Sequence, residues 1–188
     1  PWLKDQDRSC SLIILGMGKI GGREPNYHSD LDVVFLYEGE GTTRPLPNGR
    51  DNSTSNQHFF SQLAQRITKR VNHLGSHGRL YEMDARLRPS GKSGSLAVSL
   101  DAFQRYFSEG QGQLWERQAL CRARPLFGTD EARASTLEVV RKIVTHPAWQ
   151  PEFANQIYEM RKRMEETAST RNLKRSAGGI VDIEFLAQ

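Results

Sequence analysis

The sequence predicts an α+β fold: a small mixed sheet with one long helix, followed by a helical bundle. Three observations carry that expectation. Two short β-branched and apolar runs, Ser11–Leu15 and Leu31–Tyr37, lie early in the chain. The apolar residues Phe59, Leu63, Ile67, Val71 and Leu74 then recur at helical spacing. Beyond residue 101 the helical period dominates. With 188 residues, 37% of them hydrophobic and 26% charged, the chain has the balance of a globular protein. At ~150 residues per domain that is about one compact unit with a helical appendage.

Ser11–Leu15 ends in Gly16 and reads as a buried strand; Leu31–Tyr37, preceded by Ser29-Asp30, reads as the next. Residues 39–56 are rich in Gly, Pro, Asn, Ser and Thr, the composition of a mobile loop. The helix over 58–74 is stopped by Gly75-Ser76-His77-Gly78. Residues 79–88 are expected as a strand with Tyr81, Met83, Ala85 and Leu87 on one face. Its other face carries Glu82, Asp84, Arg86 and Arg88. Pro89-Ser90-Gly91 ends it, and Ser95–Leu100 follows as its hairpin partner. Helices are expected over 101–109, 113–123, 129–145 and 151–169, with Thr129 as a capping start and Pro147 and Pro151 marking a break.

Several function classes fall away. No apolar run approaches the ~20 residues of a membrane-spanning helix, and no secretory leader is visible. The chain opens at Pro1-Trp2 and stops at Gln188 inside an apolar run, as a fragment of a longer protein would. Cys10 and Cys121 lack a metal-binding or disulfide pattern and are expected as buried thiols in a reducing cytoplasm. The five histidines show no ligand spacing, and Trp115 and Trp149 are expected in the core. The net charge of +4 suits a polyanionic partner such as a nucleoside triphosphate without establishing one.

Gly16-Met17-Gly18-Lys19-Ile20-Gly21 matches the dinucleotide-binding pattern G-x-G-x-x-G, but the context is wrong. Too few residues separate Gly22 from Asp30 for a crossover helix, Pro25 lies among them, and the acids open the second strand rather than close it. It is no P-loop either, because Lys19 is followed by Ile20. What remains is a Gly21-Gly22 turn followed by Ser29-Asp30-Leu31-Asp32. In an extended chain the two aspartates share a side, with Cα atoms roughly 6.5–7 Å apart. Carboxylates so placed can hold hard divalent cations alongside phosphate oxygens, with Asp84 as a third donor from a neighbouring strand. Glycines would allow backbone amides near the phosphates, and Arg86 and Arg88 would neutralise phosphate charge. The plainer alternative for Glu82, Asp84, Arg86 and Arg88 is a solvated strand face laced by weak ion pairs.

These residues resemble the polymerase-β-type nucleotidyltransferase superfamily, in which a Gly-Gly or Gly-Ser turn precedes Asp-x-Asp and a later strand carboxylate. Within it the chain resembles the glutamine synthetase adenylyltransferase family. The resemblance rests on Gly16-Met17-Gly18-Lys19-Ile20-Gly21-Gly22-Arg23-Glu24, Asp84-Ala85-Arg86-Leu87-Arg88-Pro89, Trp115-Glu116-Arg117-Gln118-Ala119-Leu120 and Gly178-Gly179-Ile180-Val181-Asp182-Ile183-Glu184-Phe185. It implies a catalytic domain over 1–100 and a C-terminally truncated helical domain over 101–188. It implies Mg²⁺ (or Mn²⁺) on Asp30, Asp32 and Asp84, which are also the catalytic residues, with ATP as substrate. Gly21, Gly22, Ser29, Arg86, Arg88 and Lys174 are implied to meet the nucleotide phosphates. For Lys174 an ordinary cationic loop beside Arg175 is an equal alternative.

The implied reaction is transfer of AMP from ATP to a tyrosine of glutamine synthetase, with Asp84 activating the hydroxyl as a general base, or phosphorolytic removal of that AMP. Arg86-Leu87-Arg88-Pro89 followed by Ser90-Gly91 is more similar to the adenylylating half of such enzymes. The PII signalling protein is the implied regulatory partner of the full-length enzyme, and the cytoplasm its implied location. The chain departs from the family at Pro25 and in the 39–56 loop. Two other functions stay open at this point. One is a nucleotidyltransferase with another acceptor, a small hydroxylated compound or RNA, although no aromatic–basic interleaving favours nucleic acid. The other is a non-catalytic regulatory module.

Overall fold

The computed structural model describes residues 1–4, 8–45, 52–169 and 172–187. Residues 46–51 of the expected 39–56 loop, and Gln188, lie outside the described residues.

β1 (Leu12–Gly16) and β2 (Asp30–Tyr37) pair antiparallel, from Leu12 opposite Tyr37 to Gly16 opposite Val33. Between them lies one helical turn, α1 (Gly18–Gly21). Antiparallel strands need only a short connection, whereas dinucleotide folds join parallel strands through a full helix, so the rejection of that fold holds. α2 (Asn56–Val71) starts at Ser55, whose side chain accepts from the His58 amide at 3.2 Å. It leads to β3 (Glu82–Asp84), which pairs parallel with the first part of β2. β4 (Ala97–Ser99) pairs parallel with the last part of the same strand. β3 and β4 therefore share one edge of β2 in succession.

The expected strand over 79–88 is thus reduced to three residues, and Ser95–Leu100 forms no hairpin with it. The cause is the 85–96 segment, which turns at Ser90 and Gly91, both at positive φ, and forms a 3₁₀ turn at Gly91–Ser93. Arg88 knits this segment by donating to the carbonyls of Ala85 (2.7 Å), Gly94 (3.3 Å) and Lys92 (3.4 Å).

α3 (Leu100–Ser108) is capped by Ser99, and α4 (Leu114–Leu120) opens where Gln113 and Glu116 cap each other. The helix expected over 113–123 stops early, because the chain returns to the sheet as β5 (Arg124–Phe127). β5 pairs antiparallel with β1 and ends the order β3-β2-β1-β5. Pro125, which has no amide to donate, is tolerated on such an edge. α5 (Asp130–Thr145), α6 (Pro151–Glu166) and α7 (Ile180–Ala187) complete the chain, with Thr129 capping α5 and Pro151 at the start of α6.

Side-chain alternation along β2 sorts the core. Val34 and Leu36 join Ile13 and Leu15 of β1 beneath Phe103, Phe107, Val140 and Ile143 of α3 and α5. Val33, Phe35 and Tyr37 face Phe60 and Ala64 of α2, and the Tyr37 and Phe60 rings stack with centroids 5.2 Å apart. The sheet is therefore covered on both faces. Leu87 packs against the α3/α5 cluster while Met83 and Ala85 sit in the α2 cluster, contrary to the single face expected for all three. Cys10 is buried as expected, but Cys121 is exposed at the turn leaving α4. Trp115 and Trp149 are also exposed rather than core residues. Among the described residues no helix is long and apolar enough to cross a membrane.

Candidate active site

The Asp-x-Asp pair opens β2, and the parallel register sets Asp30 opposite Glu82 and Asp32 opposite Asp84. Alternation puts Asp30 and Asp32 on the same side as Val34 and Leu36, beyond the part of the strand that α3 and α5 cover. Directly opposed residues in register share a face, so Asp84 joins them. The cleft here has a volume of about 450 Å³ and is lined by Asp30, Glu82, Met83, Asp84, Ala85 and Arg86. A larger cavity of about 640 Å³ between α4 and α6 is lined by Trp115, Phe153 and Met160 among others, and holds none of the clustered acids.

β3 is short, and a second partner steadies it. At the end of α2 the Asn72 side chain accepts from the Met83 amide at 2.7 Å and donates to the Met83 carbonyl at 3.2 Å. A side-chain amide thus completes the free edge of the strand that carries Asp84.

Burial pushes the Asp32 pKa up, and the nearby charges of Asp84 and Asp30 push it further; Lys174 and Arg86 pull it back. Asp84 moves the other way. Its Oδ1 accepts from the Arg86 amide at 2.9 Å and its Oδ2 from Arg86 Nε at 2.6 Å, and this guanidinium holds the carboxyl below its ordinary range despite partial burial. Arg79 pairs with Glu82 in the same way, which leaves the cleft with mixed charge.

A hard divalent cation suits this donor set, which offers only carboxylate oxygens and concentrates negative charge on a half-buried Asp32. Among the described residues no three His, Cys, Asp or Glu side chains stand together as a ready-made cage. Asp84 Oδ1 is turned to the Arg86 amide and Oδ2 to its guanidinium, so offering Oδ2 to a cation requires that guanidinium to give way.

Gly18, at φ 47°, is the glycine that meets the acids: a Cβ there would lie 2.6 Å from Asp32 Oδ2. Gly21 and Gly22 have packing reasons to be glycine. A Cβ on Gly21 would lie 2.1 Å from the Arg122 carbonyl oxygen, and one on Gly22 would lie 2.7 Å from the Arg122 guanidinium. Ser29 is buried and engages Asn26, whose amide donates to its Oγ at 3.1 Å, while Lys19 Nζ lies 3.2 Å from Asn26 Oδ1. Arg86 stands at the acids, whereas Arg88 is committed to loop carbonyls. The strand stops at Asp84, so alternation does not carry the two arginines onto one face. Lys174 is exposed, and its charge reaches Asp32.

Sequence reasoning missed Gly18, Asn72 and Arg122. Gly18 was visible inside the glycine motif, and only its left-handed backbone singles it out. Asn72 and Arg122 carry no local signal. Arg122 meets Glu24 and Glu184, which are 98 and 62 residues away in sequence.

The family model for glutamate-ammonia ligase adenylyltransferase matches residues 1–139. Relatives named bifunctional glutamine synthetase adenylyltransferase/adenylyl-removing enzyme include those of Thioalkalivibrio sulfidiphilus (42% identical over 182 residues) and Hahella chejuensis (39% over 187). The enzyme of that name from Pseudomonas aeruginosa is 38% identical over 194 residues. Each alignment covers 94% of this chain but only 18–19% of the relative, so the chain spans about a fifth of their length.

Proposed function

The chain belongs to the glutamate-ammonia ligase adenylyltransferase family, and on that footing we propose that it carries one nucleotidyltransferase centre for AMP transfer between ATP and glutamine synthetase. The observation that carries this reading is the in-register pair Asp32–Asp84 beside Asp30, at the end of the sheet where the glycine turn arrives. Asp30, Asp32 and Asp84 are the proposed catalytic donors for Mg²⁺ or Mn²⁺. When bound, such a cation supplies charge neutralisation at the phosphates and acidifies a nearby hydroxyl.

The residues of the chain do the rest. Arg86 leaves Asp84 for the triphosphate, so one guanidinium serves the empty and the loaded site. Lys174, whose charge lowers the Asp32 pKa, is the proposed second cation for the phosphates. Gly21, Gly22 and Ser29 shape the turn against which the phosphates lie. The target tyrosine oxygen forms a bond to the α-phosphorus, the bond to pyrophosphate breaks, and the hydroxyl proton passes to solvent or a carboxylate. With Arg86 moved to the triphosphate, Asp84 loses the partner that lowers its pKa, and it is the proposed activator of the target hydroxyl as a general base. In the reverse direction phosphate attacks the same phosphorus, and ADP and free tyrosine leave.

We assign the chain to the adenylylating half, with the PII signalling protein as a partner of the full-length enzyme and the cytoplasm as its location; these rest on the family resemblance. Intact-mass spectrometry of unmodified glutamine synthetase, incubated with the chain, ATP and Mg²⁺, tests the reading. A gain of one AMP per modified subunit is expected, and none with Asp30→Asn. If mass is instead lost from adenylylated synthetase in the presence of phosphate, the chain is the removing half.

A further inference from the structure

We propose that Arg122 is a positioning residue: it fastens the segment 172–187, and with it the backbone of Lys174, to the glycine turn. This rests on the nucleotide reading above and extends it to a residue outside every acid- or glycine-bearing motif.

Arg122 lies between α4 and β5 and reaches two ways. Its Nη1 donates to Glu184 Oε1 of α7 at 2.7 Å, and its Nη2 pairs with Glu24, just beyond the glycine turn. It can lie flat on that turn because Gly21 and Gly22 leave room for its backbone and its guanidinium. Arg124 adds to the same junction, donating to the carbonyls of Ile20 (2.9 Å) and Gly21 (3.1 Å). Three parts of the chain, remote in sequence, therefore meet at one guanidinium.

The consequence for Lys174 runs through the backbone. The Val181 amide in the first turn of α7 donates to the Lys174 carbonyl at 3.0 Å, and the Ile180 amide donates to that of Leu173 at 3.3 Å. Holding α7 thus holds the backbone of Lys174. The other anchor, buried Arg161 of α6, donates to the Ser176 carbonyl at 3.0 Å and pairs with Asp182. Arg161 ties the segment only to the neighbouring helix, whereas Arg122 ties it to the glycine turn ahead of Asp30 and Asp32.

The test is the dissociation constant for ATP with Mg²⁺, measured by titration calorimetry on wild type, Arg122→Ala, Lys174→Ala and the double variant, with thermal melts alongside. Arg122→Ala and Lys174→Ala are each expected to weaken binding about tenfold, and the double variant by little more than either, because both remove one effect. Additive losses, or an Arg122→Ala protein that binds as wild type does, overturn the inference and leave the nucleotide reading standing. A wild-type chain that binds no ATP overturns both. If Arg122→Ala does not fold, Glu184→Ala, which removes the acceptor of the Arg122 hydrogen bond, replaces it. That variant keeps Arg122 on the glycine turn, and unchanged ATP affinity in it overturns the inference equally.

Discussion

Asp32 and Asp84 stand directly opposite each other across the parallel pairing of β2 and β3. They come from segments separated by the whole of α2, and the register alone brings them together. Asp32→Asn and Asp84→Asn are therefore expected to fold normally and to lose AMP transfer by about a thousandfold or more, the scale of an electrostatic catalytic group. Transfer rates followed with radiolabelled ATP, beside far-ultraviolet circular dichroism, check this. Near-normal rates in both variants would sink the proposed centre.

Asn72 closes the outer edge of β3 with two hydrogen bonds to Met83. Asn72→Ala removes both and leaves the Met83 amide without its partner. A stability loss of about 1–3 kcal/mol is expected in urea unfolding, together with a fall in transfer rate larger than that of a surface control such as Lys69→Ala. An unchanged rate would mean that β2 holds β3 unaided.

Gly18 combines a left-handed backbone with contact on Asp32. Gly18→Ala is expected to cost about 1–3 kcal/mol through backbone strain and to displace the Asp32 carboxylate. Its mark is a weakened Mn²⁺ affinity, read by electron paramagnetic resonance, in protein that remains folded at assay temperature.

The Arg86 guanidinium occupies Oδ2 of Asp84, while Oδ1 accepts from the Arg86 backbone amide. Arg86→Ala should shift two affinities in opposite directions. Mn²⁺ alone binds more tightly because Oδ2 of Asp84 is released, while ATP binds about tenfold more weakly for want of a phosphate partner. Loss of both affinities would show instead that Arg86 merely orients Asp84.

Tyr37 sets the alkaline limit of the fold. Burial raises its pKa, the neighbouring Glu40 charge raises it further, and its hydroxyl donates to Glu40 at 3.2 Å. A pKa raised on folding adds stability that is intact below the unfolded value of about 10 and is lost as pH climbs past it. Thermal melts from pH 8 upward should therefore fall more steeply for wild type than for Tyr37→Phe. Parallel curves would contradict the assignment.

What the sequence disclosed follows physical range. β1, the Asp-x-Asp head of β2 and the helices α2, α5 and α6 were legible because alternation, helical period and capping residues are local signals. β5 escaped notice because Arg124-Pro125-Leu126-Phe127 is short, contains proline and owes its extended form to β1. β3 was overdrawn because Arg86 and Arg88 continue the alternating pattern past the point where backbone pairing stops. Cys121, Trp115 and Trp149 defeated the rule that such residues are buried. The acids could be named from sequence, but their supports, Asn72 and Arg122, could not, since each is defined by a partner in another element.

One edge of β2 receives two strands in succession. The segment 85–96 leaves β3 and returns as β4 with both ends pinned to the same strand. Beyond Arg86 and Arg88, its turn at Ser90–Gly94 lies apart from the pairing that sets Asp84 opposite Asp32. Two short strands thus act as one clasp on β2, so that a change of length at the far turn of the segment is absorbed before it reaches the carboxylates.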